Sequence, residues 1–250
     1  MKIDRYLVSA RAFAYTDAAL WAYTWNQRSN SIMSLVKDEL KSKVSLLTFQ
    51  ENFQTHTDIV RTLMPKLSDS TYWTRHAAKP LFAQIFQGFS SNEREETLDA
   101  WQERLFNGDA FTRQTLLEAY ADLFPVLATQ EQEPVLNNLL LALSANEPKV
   151  RSAAIKTLGK VWAKIHSAET QQSVANNLSK MLTDDKSSEV REAAVLAIKK
   201  IAADSQDPEL QDFLVDQLIA ALEDPDQEVS FQAARALGKK IPHILRGETQ

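Results

Sequence analysis

From Val190 to Ile201 a stripe of apolar positions runs through Val190, Ala193, Ala194, Ala197, Ile198 and Ile201. The steps of three and four put all six on one face of a 3.6-residue helix. The same stretch recurs upstream as PKVRSAAIKTLGKV, from Pro148, and downstream as QEVSFQAARALGKKI, from Gln227. Ahead of the last copy lies a second amphipathic pattern, Leu210, Phe213, Leu214, Leu218, Ala221 and Leu222, which predicts a helix buried along that side.

A leucine closing the first helix of each pair recurs as Leu67, Leu105, Leu143, Leu182 and Leu222, at spacings of 38, 38, 39 and 40 residues. Eight or nine residues beyond each stand Arg75, Arg113, Arg151, Arg191 and finally Ser230. Each copy therefore predicts a helical hairpin whose apolar face is too large to hide alone. Stacking neighbours buries it. The expected fold is all-α, a right-handed α-solenoid of about five hairpins with an N-terminal helical cap. The cap or degenerate repeat takes residues 1–52 and the array residues 53–250, divided at 53–90, 91–128, 129–166, 167–205 and 206–245.

Within residues 1–52, Ile3–Ala14, Asp17–Asn26 and Ser31–Phe49 each read as helical, the first two rich in Tyr and Trp. Punctuation agrees with the hairpins. Pro134, Pro148 and Pro208 fall near predicted helix starts, where a missing N–H costs nothing. Asp184, Asp185, Asp224 and Asp226 fill the turns. Pro65 and Pro80 sit inside the two helices of the first copy, which predicts a bend there. Ala77-Ala78, Ala153-Ala154, Ala193-Ala194 and Ala233-Ala234, with Gly159 and Gly238, predict close approach between second helices.

The pattern D-x-x-x-x-x-R followed by paired alanines and LGK resembles the HEAT repeat, an armadillo-like α-solenoid family. Asp69/Arg75 and Asp185/Arg191 match its acid and base. Asp224 keeps the acid before Ser230, while Arg113 and Arg151 follow Asn107 and Ala145 at the acid position. The resemblance runs from about Gln54 to Leu245 and implies a partial Asp–Arg ladder between neighbouring repeats, formed by Asp69, Arg75, Arg113, Arg151, Asp185 and Arg191. It specifies fold far better than function.

Composition narrows the chemistry. With 5 Gly and 8 Pro there is little material for the turns of an all-β fold. Zero Cys removes disulfides, thiolate metal sites and a cysteine nucleophile, and fits a cytoplasmic setting. His56, His76, His166 and His243 lack metal-ligand spacing, so no metal is implied. No phosphate loop, nucleophile elbow or dinucleotide turn is present, so neither a cofactor nor a catalytic residue is implied. Arg5, Ser9, Arg11 and Asp17 interrupt any apolar leader, and no run is long enough to span a bilayer, so no membrane is expected.

Charge supplies the one functional candidate. The second helices of the last three copies (149–166, 189–203 and 228–246) sum to +9. Their first helices and turns (130–147, 168–185 and 207–226) sum to −12. Lys156, Lys160, Lys164, Lys199, Lys200, Arg235, Lys239 and Lys240 lie off the apolar stripe. In the resembled architecture second helices line the concave wall, which implies a basic groove for an acidic partner. Lysines near helix C-termini also complement the macrodipole, a purely structural role for the same residues. Tyr72 and Trp73, read as lying in a turn, are candidate aromatic contacts, whereas Trp101 and Trp162 read as core.

The expected function is a non-catalytic protein-interaction scaffold that binds an acidic protein or peptide. Nucleic acid stands second: Trp73, Arg75, Trp101 and the lysines bear a likeness to HEAT-like glycosylases of alkylated DNA bases, against which stands the net charge of −5. The V-R-x-A-A core is also similar to the E/Z subgroup, which includes phycobilin lyases.

Overall fold

The computed structural model describes residues 34, 35, 38 and 55–238. Among these residues every regular element is helical. Two compact units, Met1–Leu81 and Phe82–Gln250, divide the chain. In the first, residues 34, 35 and 38 are helical, and α1 (Thr55–Leu67) leads by a short turn to α2 (Tyr72–Phe86), which runs on into the second unit. Leu63, Met64, Leu67, Ala77, Ala78 and Leu81 are buried. Asp69 closes the turn: its carboxylate accepts the Thr71 N–H at 2.8 Å and pairs with Lys66 at 3.3 Å. The Arg75 guanidinium donates to the Asp69 carbonyl at 2.6 Å. Most of the helical segments proposed within residues 1–52 lie outside the described residues.

The second unit holds four successive hairpins: α3 (Ser91–Asn107) with α4 (Ala110–Leu123), α5 (Thr129–Ala142) with α6 (Pro148–Val161), α7 (Ala168–Asp184) with α8 (Ser188–Asp204), and α9 (Pro208–Ala220) with α10 (Gln227–Gly238). Single 3-10 turns extend α4, α6 and α9. Local chemistry sets the boundaries. Ser90 and Glu93 make a reciprocal capping box, with the Glu93 carboxylate accepting the Ser90 N–H at 2.7 Å. Asp109, Ser167, Asp207 and Asp226 each accept backbone N–H groups at the start of the following helix. Pro148 and Pro208 open α6 and α9. Pro134 does not: it lies inside α5, because the helix begins earlier, at Thr129 behind Ala128.

The second helices form the densest layer, with α6 packed against α4 and α8, and α8 against α10. Small residues make this possible. A Cβ built on Gly159 would lie 3.0 Å from the Ala197 Cβ, so α6 and α8 approach almost backbone to backbone. The Thr157 hydroxyl donates to the Leu117 carbonyl at 2.9 Å, buried, across α6 and α4. These two contacts fix the register of three neighbouring second helices.

The buried stripe of α8 contains Val190, Ala193, Ala194, Ala197, Ile198 and Ile201, all six of the periodic positions. In α9 and its extension Leu210, Leu214, Leu218 and Ala221 are buried, but Phe213 is half-buried and Leu222 is 42% exposed. Leu143 and Leu182, the counterparts of Leu222, are buried, and each is followed by a further hairpin. Among the described residues no helix follows α10. Ala234 is exposed, whereas Ala233 faces inward.

Candidate interaction surface

Arginines join the turns of consecutive hairpins. Arg151 donates through Nε and Nη2 to both oxygens of Asp185, at 2.6 and 2.8 Å, and through Nη1 to the Ala145 carbonyl at 2.7 Å. Arg191 repeats the arrangement one hairpin on, with Asp224 at 2.7 and 2.9 Å and the Asp185 carbonyl at 2.9 Å. Each arginine thus clamps the backbone of its own turn and reaches forward to the next copy's acid, a bidentate geometry suited to guanidinium. Arg113 uses Glu147 instead, through a single 3.1 Å contact, because the acid position holds Ala145. Ser230 has no guanidinium to extend the row past α10.

The Asp224 carboxyl is held below its usual range chiefly by the Arg191 hydrogen bond. For Asp185, burial opposes ionisation, but the hydrogen bonds from Arg151 and the Ser187 N–H outweigh it and lower the pKa.

A second row escaped the sequence reading. The fourth residue of each first helix is Arg94, Gln132, Gln171 or Gln211. The three glutamines donate to the carbonyls of Leu127, Ile165 and Ser205 in the preceding turns. Arg94 goes further, binding the Phe86 and Val126 carbonyls and both oxygens of Glu131, at 2.7 and 2.6 Å. Its guanidinium also covers the Phe86 ring at 4.3 Å. The spacings of 38, 39 and 40 residues were a legible signal, but three amides and one cation do not look alike as letters.

The basic positions distribute as follows. Lys156, Lys160, Lys164, Lys200 and Arg235 are exposed on the second helices, and Lys199 is half-buried. Lys239 and Lys240 lie outside the described residues. Lys200 pairs with Asp204 at 2.7 Å, and Arg235 lies 5.7 Å from the Phe231 ring centroid. At equivalent positions of successive second helices one line reads Glu118, Lys156, Leu196, Arg235, and the next reads Asp122, Lys160, Lys200; Glu118 is half-buried and accepts the Gln114 amide at 3.0 Å. Leu196 is 39% exposed.

The other candidates separate cleanly. Trp101 and Trp162 are core. Trp101 stacks on Tyr120 at 5.1 Å and meets Phe82 edge-on, so its ring has no access to a nucleobase. Burial pushes the Tyr120 hydroxyl up. Tyr72 is exposed and Trp73 half-buried, but both lie in the first turn of α2 rather than in the preceding loop, since the helix starts at Tyr72. His76 packs on Tyr72 at 4.2 Å, His166 is exposed, and His243 lies outside the described residues. Among the described residues no group of acidic or histidine side chains could hold a metal ion. No described helix is long and apolar enough to cross a membrane. The first helices leave grooves of about 400 Å³ between α3 and α5 and about 480 Å³ between α5 and α7, rimmed by exposed carboxylates and amides.

Comparison with known proteins agrees with this architecture. The HEAT-repeat family profile matches residues 98–199 and 136–218. Residues 98–218 belong to the HEAT-repeat family of α-solenoids. No curated protein matches it in sequence. Among solved structures it is similar to Cex1p (TM-score 0.61, 11% identity, covering 87% of this chain and 45% of that one). A karyopherin, Kap121p, bound to the extreme C-terminus of the phosphatase Cdc14p, gives a TM-score of 0.61 at 13% identity, covering 87% of this chain and 27% of that one. The CpcE–CpcF complex of phycocyanin lyase from Nostoc sp. PCC7120 gives 0.54 at 19%, covering 72% and 98%. The chain therefore spans less than half of Cex1p and about a quarter of Kap121p. At these identities the likeness is one of fold.

Proposed function

We propose that the chain is a non-catalytic interaction scaffold that binds an acidic protein segment along the exposed face of α6, α8 and α10. The observation that carries this reading is the alignment of Lys156, Lys160, Lys200 and Arg235 on consecutive, closely packed helices. First helices pack on one another far less than second helices do, which supports a row that bends toward the second helices. A concave basic wall concentrates anionic ligands more than a flat one does. Kap121p, solved with protein segments bound, supplies a fold-level analogy for this use. Duplex nucleic acid fits less well, because Glu118 and Asp122 continue the same lines with opposite sign and Trp101 is inaccessible.

The test compares the full chain with a variant carrying Lys156→Glu, Lys160→Glu, Lys200→Glu and Arg235→Glu. Exposed substitutions of this kind change stability by about 0.5 kcal/mol or less each, so the variant is expected to melt close to the parent. A fluorescent glutamate-rich peptide should bind the parent, weaken as salt rises, and bind the variant at least about tenfold less tightly. No binding at low salt sinks the proposal. Tighter binding of a 20-base-pair duplex, with a steep inverse salt slope, would move the assignment to nucleic acid.

A further inference from the structure

The α9–α10 hairpin presents an open apolar face where the hairpin before it is covered. On α9 and its extension the stripe is Val215, Ile219 and Leu222, and on α10 it is Phe231, Ala234 and Gly238. Steps of three and four put each set on one side of its helix. The counterparts one hairpin earlier are Ala175, Ser179 and Leu182 on α7, and Glu192, Val195 and Lys199 on α8. Ala175, Ser179, Leu182 and Val195 are buried, and Glu192 and Lys199 are half-buried. On the later hairpin Val215 is half-buried, Ile219 is 50% and Phe231 55% exposed, and a Cβ built on Gly238 would meet nothing within 4 Å. Isoleucine thus stands in place of a buried serine, and phenylalanine in place of a half-buried glutamate. A repeat face left to water is ordinarily polar, and this one is more apolar than the covered face it repeats.

Sequence and charge say what covers it. Ser230 stands where Arg151 and Arg191 reach forward to the next hairpin, so another hairpin held by the same clamp lacks its arginine. In sequence Ile241 and Ile244 repeat the positions of Trp162 and Ile165, and of Phe124 and Leu127, four buried core residues. Leu245 is then the one aliphatic residue of 239–250 without such an equivalent. The residues just before the stripe positions, Leu214, Leu218, Ala221, Ala233 and Leu237, are buried, so the opposite flanks form the outer edges. The α9 edge carries exposed Asp212, Asp216 and Glu223, and the α10 edge carries exposed Glu228 and Arg235. Counted from the turn that joins the antiparallel helices, Arg235 and Asp216 sit at one height, as do Phe231 and Ile219.

We infer that two copies of the chain associate through this face, about a two-fold axis that runs along the helices and lays α9 of one copy on α10 of the other. Equal heights then bring Phe231 to the partner subunit's Ile219 and Arg235 to the partner subunit's Asp216, each twice, as an isologous contact requires. An axis across the helices would instead set three acids against the same three acids, which opposes association. Glu223 and Glu228, at the turn, are the one like-charged approach in the favoured arrangement. Each helix is about 20 Å long, so the face is small for an interface and the dimer is expected to dissociate on dilution. The inference goes beyond the acidic-segment reading and does not need it, although Arg235 borders both surfaces.

Sedimentation equilibrium of the full chain, from about 1 to 300 µM, tests this. The weight-average mass should rise with concentration from 28.2 kDa toward twice that value. Ile219→Ser with Phe231→Ser is expected to weaken self-association at least about tenfold, with a thermal transition close to the parent's because both side chains are exposed. Asp216→Arg and Arg235→Asp should each weaken it at least about threefold, and a chain carrying both should regain the parent's affinity. Such a rescue would not arise from association through another face. A chain that stays monomeric at the highest concentration overturns the inference, while peptide binding by that monomer leaves the acidic-segment reading standing. Mass that grows past the dimer means head-to-tail stacking and overturns the two-fold contact. A dimer untouched by the serine pair overturns the face, and two charge variants without rescue overturn the axis.

Discussion

Two regions of the Phe82–Gln250 unit solve the same stacking problem with different side chains. Around α3 and α4 the space is filled by large rings, Phe82, Phe86, Trp101, Tyr120 and Phe124, all buried. Around α6, α8 and α10 it is almost removed, by Ala153, Ala154, Gly159, Ala193, Ala194, Ala197 and Ala233. Aromatic filling tolerates a wider gap and uses directional ring contacts. Small residues bring backbones together, so register becomes strict and a single added atom is felt. The polar clamps differ in parallel. Arg151–Asp185 and Arg191–Asp224 are bidentate and nearly covered, whereas Arg113–Glu147 is a single contact with Glu147 largely open. Close packing of the later helices thus coincides with clamps strong enough to hold one register.

The comparison breaks most sharply at Ala194, which is fully buried. Ala194→Asp places an unpaired charge in the tight layer and is expected to cost about 3–5 kcal/mol, read as loss of the cooperative thermal transition by circular dichroism. Next come the two clamps, in parallel variants. Arg151→Met leaves Asp185 facing a covered site and should cost about 2–3 kcal/mol. Arg113→Met should cost less than about 1 kcal/mol. Equal urea midpoints for the two would mean that coverage of the acid does not decide the clamp's strength.

Gly159→Val tests the close approach itself. Its Cβ meets Ala197 at 3.0 Å, and the expected loss is about 1–3 kcal/mol despite the loss of a helix-weakening glycine. The double change with Ala197→Gly should recover part of it. The smallest effect is in acid. Asp185, Asp224 and Glu131 all have lowered pKa values in the folded chain. Their contribution is complete above the ordinary carboxyl range, about 4, and is lost as pH falls through the lowered folded values. Denaturation midpoints should therefore decline below about pH 4, and less so in the Arg151→Met variant. A midpoint unchanged down to pH 3 would contradict the sign.

How far the sequence could be read is clearest residue by residue. The stripe from Val190 to Ile201 was legible because burial in a stacked helix follows its 3.6 period directly. The paired alanines were legible as contact points, though not the partner atom: only the fold sets Gly159 against Ala197 rather than elsewhere on α8. Leu222 satisfied the same periodic rule as Leu182 and still stands exposed, while its neighbour Ala221, in the 3-10 turn that extends α9, is the buried residue there. Pro134 followed a sound rule for proline at helix starts and failed because the preceding turn, capped by Glu131, begins the helix five residues earlier.

The chain's own letters determined the hairpin period, the apolar stripes, the arginine positions and the sign of charge on each helix, since all of these are properties of one helix and its immediate neighbours in sequence. Tertiary structure alone decided which acid each arginine clamps, that Glu147 substitutes where Ala145 stands, that Arg94 bridges to Glu131, and that the Thr157 hydroxyl meets the Leu117 carbonyl. Those outcomes require side chains some 33 to 40 residues apart to meet. A local pattern cannot encode that distance, and only the stacking of one hairpin on the next supplies it.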